Sequence, residues 1–248
     1  MAQPRFYLPL SSEVLDRALE TGEPLELTAE AAHHAGRALR LKNGERVTLF
    51  NGEGLEWGGI ISFSKASSAV TIDTRAAVER ECPLEIILLQ ALVAPEKTDW
   101  IVEKAVELGV SELILVPSER SVTRLTDERA QKRLQKLESL IISASEQCGR
   151  NRLMRIRFIP VLKEAFAQTE ADLKLILAPG AAPAEYTGSS AKRIAVAVGA
   201  EGGFSEAEIA LAAESGWLPK LLGARVMRTE TAGLAAAVWL NTLYGDFR

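Results

Sequence analysis

Two stretches near the C-terminus hold the residues best suited to chemistry. The first, Val198-Gly199-Ala200-Glu201-Gly202-Gly203-Phe204-Ser205, follows an apolar run, and Ser205 with Glu208 makes a capping-box pair that opens a helix. Its glycines permit a tight turn and let backbone N–H groups come close to a ligand. The second stretch, LLGARVMRTETA at 221–232, sets Arg225, Arg228, Thr229, Glu230 and Thr231 between an apolar strand and an apolar final helix. An arginine and a carboxylate beside such a loop can stabilise developing negative charge and accept a proton. Thr229 and Glu230 also suit a purely structural role, capping that helix and placing an acid near its N-terminus. A lone glycine-bearing turn between a strand and a helix is more often structural than functional.

The elements that must position these loops can be read from periodicity. Beyond Pro83, apolar runs alternate with helical spacing, which predicts an α/β domain with a largely parallel sheet. Strands are expected at 85–93, 112–116, 155–159, 173–177 and 193–198. Ile101, Val102, Ala105, Val106 and Leu108 recur at helical spacing before Gly109, and 127–148 reads as a longer helix. The Ala-, Pro-, Gly- and Ser-rich stretch 178–190 reads as a mobile loop. Before about Arg75 the pattern is β-rich: strands at 46–50, 57–63 and 69–74, interrupted by one helix over 29–41 with Thr28 as its N-cap. The expected division is therefore 1–75 and 76–248.

Composition narrows the function classes. With 47% hydrophobic and 25% charged residues, the chain has the balance of an ordinary globular protein. Cys82 and Cys148 belong to no CxxC or Cys/His cluster, so no metal site is expected and the thiols are expected to be reduced. The start MAQPRFYLP lacks a signal-peptide pattern, and the apolar runs are too short to span a bilayer, so the expected location is cytoplasmic, with no membrane contact. The net charge is −4, yet basic residues cluster: between Glu119 and Arg157 ten basic residues stand against five acids. A second cluster comprises His33, His34, Arg37, Arg40, Lys42 and Arg46, with Glu45 as its one acid. Either alone suits a solvated helix face; the two together make a polyanionic partner as plausible as none. The residues offered to RNA would be His34, Arg37, Arg40, Arg120, Arg124, Arg150 and Arg152. A dinucleotide oxidoreductase is disfavoured, because its glycine loop follows an early strand and here the loop is late.

The same residues carry a family resemblance. GAEGGF at 199–204 and LGARVMRTETA at 222–232 resemble the C-terminal signatures of the 16S ribosomal RNA uracil-N3-methyltransferases, the RsmE-type branch of the knotted SPOUT methyltransferases. HHAGRALRLKNGERVTLFNGEG at 33–54, EKTDWIVEKAVELGV at 96–110 and SEQCGR at 145–150 are similar to that family too, in order and almost end to end. Ala94, Met154 and Ala200 depart from its pattern, standing where the family commonly has lysine, proline and proline. The resemblance implies an α/β domain with a mostly parallel sheet and a deep trefoil knot, a small N-terminal β-barrel domain of PUA or OB type that helps to hold RNA, and a homodimer. It implies S-adenosyl-L-methionine as cofactor, held by Leu177, Gly199, Ala200, Glu201, Gly202, Gly203, Leu222, Gly223, Arg225, Val226, Met227, Thr231 and Ala232. The implied substrate is 16S ribosomal RNA of the small subunit. Uracil N3 is a poor nucleophile until it loses its proton, which makes Arg228 and Glu230 the expected catalytic pair. The competing expectation is a non-catalytic RNA-binding protein on the same scaffold.

Overall fold

The computed structural model describes residues 3–64, 67–125, 127–179 and 191–247. The chain divides into two compact units, Met1–Glu81 with Ser145–Leu153, and Cys82–Ala144 with Met154–Arg248. Chain order alone suggests one cut near residue 75; the contacts add a short segment from far downstream to the first unit.

The first unit is built on a five-stranded sheet in the order β1-β3-β4-β5-β2, from β1 (Arg5–Tyr7), β2 (Leu25–Glu26), β3 (Arg46–Phe50), β4 (Leu55–Phe63) and β5 (Ser68–Ala77). All pairs are antiparallel except β1 with β3. At the β4–β5 irregularity Gly59 is required, because a Cβ there would lie 2.5 Å from the Thr71 carbonyl oxygen. Phe6, Leu15, Val47, Leu49, Trp57, Ile61 and Val70 fill the core, and Trp57 satisfies its indole N–H on Asp16 at 2.8 Å.

Two helical features differ from the sequence expectation of one helix. Ser12–Thr21 forms α1, burying Leu15 and Ala18 and ending on Gly22 in the left-handed region at φ 71°. The helix expected over 29–41 does start at Thr28, whose hydroxyl accepts from Ala31 N–H at 3.2 Å. However, α2 spans only Ala29–His33 and widens into a π-helical turn, His34–Ala38, after which Arg40 takes φ 55°. Gly36 weakens the α-helix at that point.

The second unit carries a six-stranded, all-parallel sheet in the order β11-β9-β10-β6-β7-β8. Its strands are β6 (Glu85–Ala91), β7 (Glu112–Val116), β8 (Arg155–Phe158), β9 (Leu173–Leu177), β10 (Arg193–Val198) and β11 (Leu218–Lys220). The connecting helices are α3 (Pro95–Glu107), α4 (Asp127–Cys148), α5 (Leu162–Gln168), α6 (Glu206–Glu214) and α7 (Thr229–Tyr244). Pro95 starts α3 in the first turn, where its missing N–H costs nothing, and Gly109 follows the helix with φ 73°. Sequence reading missed α5, and it gave no bounds to β11, the apolar strand expected before the second loop. This strand contains Pro219, which is tolerated because β11 pairs on one side only, with β9. Most of the loop read at 178–190 lies outside the described residues.

In a parallel sheet every strand releases its following loop at the same edge, which is where such folds bind ligands. The turns after β6, β7, β10 and β11 therefore share one rim. Among the described residues no helix is long and apolar enough to cross a membrane, and no group of His, Cys, Asp and Glu could hold a metal ion.

Candidate active site

The loop after β10, Gly199–Ser205, is wound so tightly that a Cβ on Gly199 would lie 2.6 Å from the carbonyl carbon of Gly203. Gly203 N–H bonds to the Ala200 carbonyl at 2.9 Å, and Gly203 itself takes φ 70°. Two neighbours brace the loop from the turn after β7. Arg120 donates to the Gly202 carbonyl at 2.7 Å, and Glu119 N–H donates to Glu208 at 2.7 Å. Glu208 meanwhile completes the capping box with Ser205 that the sequence predicts.

The loop after β11 runs from Leu221 to Arg228. Gly223, Arg225, Val226 and Arg228 are exposed, whereas Leu222 and Met227 are half-buried. Arg228 is the N-cap of α7 but gives no side-chain cap bond, and its guanidinium has no hydrogen-bond or ion-pair partner among the described residues. The capping role suggested for Thr229 is not what its hydroxyl does. Buried Thr229 donates to the Gly199 carbonyl at 2.6 Å and accepts from Gln90 Nε2 at 2.9 Å, while the same amide nitrogen donates to the Ala91 carbonyl at 3.0 Å. The end of β6, the first loop and the start of α7 are thus pinned by one hydroxyl. Gln90 was not singled out from the sequence, since a glutamine in an apolar strand is ordinary, and Thr229 was read there as a helix cap.

Charge gathers beside this clasp. Lys97 Nζ, in the first turn of α3, donates to Glu201 at 2.8 Å and stands 3.7 Å from Glu230 Oε2. The hydrogen bond from Lys97 holds the Glu201 carboxyl below its usual range, and the same bond raises the Lys97 ammonium. Glu230 Oε2 is buried with no hydrogen-bond partner. Glu201 and Glu230 are brought together around Lys97, which sequence reading passed over, and the charge of Arg228 acts on the same ammonium.

The room in front of the loops decides what they can accommodate. Gly203 and Gly223, with φ 70° and 140°, have no atom within 4 Å of where a Cβ would project. Each therefore presents bare backbone to open space. Leu177 closes β9 next to β10 and β11, half-buried, while Thr231 is exposed and Ala232 half-buried on the first turn of α7.

Residues 80–241 match the model of the RNA methyltransferase domain, and residues 27–72 match that of the RNA methyltransferase PUA domain. The chain belongs to the RNA methyltransferase family. Solved relatives agree over the full length. A Legionella pneumophila protein crystallised with S-adenosylmethionine is 36% identical at a TM-score of 0.91, with 100% of both chains covered. A ribosomal RNA small subunit methyltransferase E from Neisseria gonorrhoeae, bound to S-adenosylmethionine, is 33% identical at a TM-score of 0.88, also with 100% of both chains covered. The Bacillus subtilis ribosomal RNA small subunit methyltransferase E is 26% identical over 243 residues, 94% of this chain and 93% of its own.

Within this RNA methyltransferase, the residues expected to face RNA have divergent surroundings. Arg37, Arg40 and Arg124 are exposed. His34 Nδ1 sits 3.4 Å from Glu146 Oε2, and Arg152 is half-exposed, 3.8 Å from Glu79. Arg120 is committed to the Gly202 carbonyl. Arg150 is a correction: it is 5% exposed and its guanidinium is paired through two nitrogens with Glu81, so it serves the first unit's structure rather than presenting a charge to phosphate. The positive excess of 119–157 is likewise largely spent, on Asp99 by Arg133 and Lys136 and on Glu112 by Arg155 and Arg157.

Proposed function

We propose that this chain methylates N3 of a uridine in 16S ribosomal RNA of the small ribosomal subunit, using S-adenosyl-L-methionine. The observation that carries the reading is the Thr229–Gly199 clasp, which ties the two glycine-bearing loops together, with Lys97 bonded to Glu201 and 3.7 Å from Glu230 beside it. Further support comes from the full-length likeness to two proteins crystallised with S-adenosylmethionine.

The residues present fit that cofactor. Bare backbone at Gly203 and Gly223 accepts a planar base and a ribose, with Leu177, Leu222, Val226 and Met227 as apolar flanks. When bound, the cofactor supplies an electrophilic methyl group on a sulfonium whose leaving group is a neutral thioether. The protein's own task is alignment and proton management. In this reading Glu230 Oε2, buried and without a donor, accepts the N3 proton of the uracil, and the electron pair freed from the N–H bond makes the new N–C bond. Arg228, exposed at the head of α7, stabilises the negative charge that the departing proton leaves on the ring. The N3 edge is occupied in a base pair, so the target uridine must be unpaired or turned out of its stack.

The reading extends to the whole molecule. The first unit holds RNA through Arg37 and Arg40, the segment after β10 threads a trefoil knot, two copies form a homodimer, and the enzyme works in the cytoplasm during ribosome biogenesis. The test is methyl transfer in vitro to small subunits from cells lacking the protein, followed by mass spectrometry of the digested RNA. One methylated uridine, resistant at N3, is expected; cofactor binding with no RNA methylation would leave an RNA-binding protein instead.

A further inference from the structure

We infer that Lys97 is a positioning residue shared between Glu201 and Glu230, and that Glu201, by holding it, keeps the inner oxygen of Glu230 free to take a proton. The inference rests on the assignment of Glu230 as proton acceptor.

The geometry is asymmetric. Lys97 Nζ is 2.8 Å from Glu201 Oε1, a charge-assisted hydrogen bond, but 3.7 Å from Glu230 Oε2, too far to donate and near enough to attract. Glu230 Oε2 is buried and accepts no hydrogen bond from any donor in the described structure. A buried, undonated carboxylate oxygen is unfavourable unless a cation compensates it. Lys97 compensates the charge without consuming the lone pair, which is the condition for a carboxylate that is both ionised and available. Were Lys97 to move about 1 Å onto Glu230, it would occupy the site meant for the substrate proton. The bond to Glu201 holds it back. The positive charge of Arg228 also acts on the Lys97 ammonium. The starting point of Lys97 is itself fixed, because Pro95 locks the first turn of α3 and Lys97 N–H returns to the Ala94 carbonyl at 3.1 Å.

The experiment compares pH–rate profiles of methyl transfer for the full-length wild type and for Lys97→Met, Lys97→Arg, Glu201→Gln and Glu230→Gln, each first matched to wild type in melting temperature. Loss of the cation in Lys97→Met is expected to move the acidic limb of the profile upward, and Lys97→Arg to restore most of it. Glu201→Gln, which releases Lys97 towards Glu230, is expected to lower kcat about tenfold with KM for S-adenosylmethionine changed by less than about twofold. An unmoved acidic limb in Lys97→Met, with Glu230→Gln inactive, overturns the role of Lys97 while keeping Glu230. A Glu201→Gln loss confined to KM also overturns it, because Glu201 would then only bind cofactor. Full turnover by Glu230→Gln overturns the assignment of Glu230 and this inference together. A readout independent of catalysis is the carboxyl carbon resonance of Glu201: its titration returns towards the ordinary carboxylate range in Lys97→Met if the bond persists in solution.

Discussion

Thr229 donates its hydroxyl to the Gly199 carbonyl at 2.6 Å, joining the first residue of the last helix to the first residue of a loop thirty positions earlier. The bond is buried, and Gln90 supplies the hydroxyl with a donor in return. Thr229→Val keeps the shape of the side chain but leaves the carbonyl without this donor. It should cost about 1–3 kcal/mol in chemical denaturation and weaken S-adenosylmethionine binding, with Thr229→Ser restoring both. Equal stability of the valine variant would mean that the two loops are set by packing alone.

The Arg228 carbonyl accepts the Thr231 and Ala232 N–H groups at 2.9 Å at the start of α7, but its guanidinium has no partner among the described residues. Arg228→Ala should leave the melting temperature and cofactor affinity close to wild type, yet lower methyl transfer by about a hundredfold or more. Isothermal titration and single-turnover assays separate the two quantities, and an unchanged turnover number removes Arg228 from the chemistry.

The basic residues of the first unit should part into two classes. Arg150→Ala leaves Glu81 without its buried partner and should cost roughly 2–4 kcal/mol of stability. Changing Arg37 and Arg40 together to Ala should leave stability alone and reduce the salt slope of RNA binding by about 1–2. Anisotropy titrations with a small-subunit RNA fragment across a potassium chloride series measure the slope. An identical slope for the double variant would count against the first unit as an RNA surface.

Acid should attack the first unit through Glu56. Burial would raise this carboxyl, but hydrogen bonds from Arg5 and Arg80 outweigh it and hold the group below its ordinary 4.5. The stabilisation it brings is complete above that ordinary value and is lost as the pH falls through the depressed folded value. Glu146 works in the opposite sense: burial raises it, so its ionisation costs stability as the pH climbs from 4.5 through its raised value. Glu56→Gln should therefore flatten the acid arm of a stability–pH curve for the first unit, as followed by tryptophan fluorescence of a variant that keeps Trp57 as its one tryptophan. An acid arm as steep as that of wild type would exclude Glu56 as its source.

Much of the framework was legible because burial on both faces writes near-continuous apolar runs in the parallel strands, and because helical spacing marks α4 and turn residues bound β3. The expected bounds of β3, β7, β9, β10 and α4 coincide with those found, and the Ser205–Glu208 box is present. What escaped reading or went without bounds lacks such a pattern. β11 has three residues with a proline in the middle, and α5 has seven. The spacing of Leu15, Ala18 and Leu19 before Gly22 does carry a helical signal for α1, overlooked beside the stronger β pattern that follows. In the site, Arg228 and Glu230 stood out by type and Glu201 through the family resemblance, whereas Lys97 belongs to a helix start about a hundred residues earlier and gains meaning only from the sheet order that brings β6 beside β10. Arg150 shows the converse: a basic residue in a basic run reads as surface until its carboxylate partner, 69 positions back, is seen.

The membership of Ser145–Leu153 in the first unit has a temporal consequence. Glu146 accepts the Tyr7 N–H at 2.9 Å, Asn151 reaches the Val78 carbonyl at 2.8 Å, and Arg150 neutralises Glu81, so a ribosome that has delivered only the first 81 residues has not yet delivered the pieces that finish this unit. Its final consolidation must wait until position 153 has left the exit tunnel. A fragment ending at Glu81 should emerge as an incomplete, more easily proteolysed species, and supplying the nine missing residues as a peptide should rescue it.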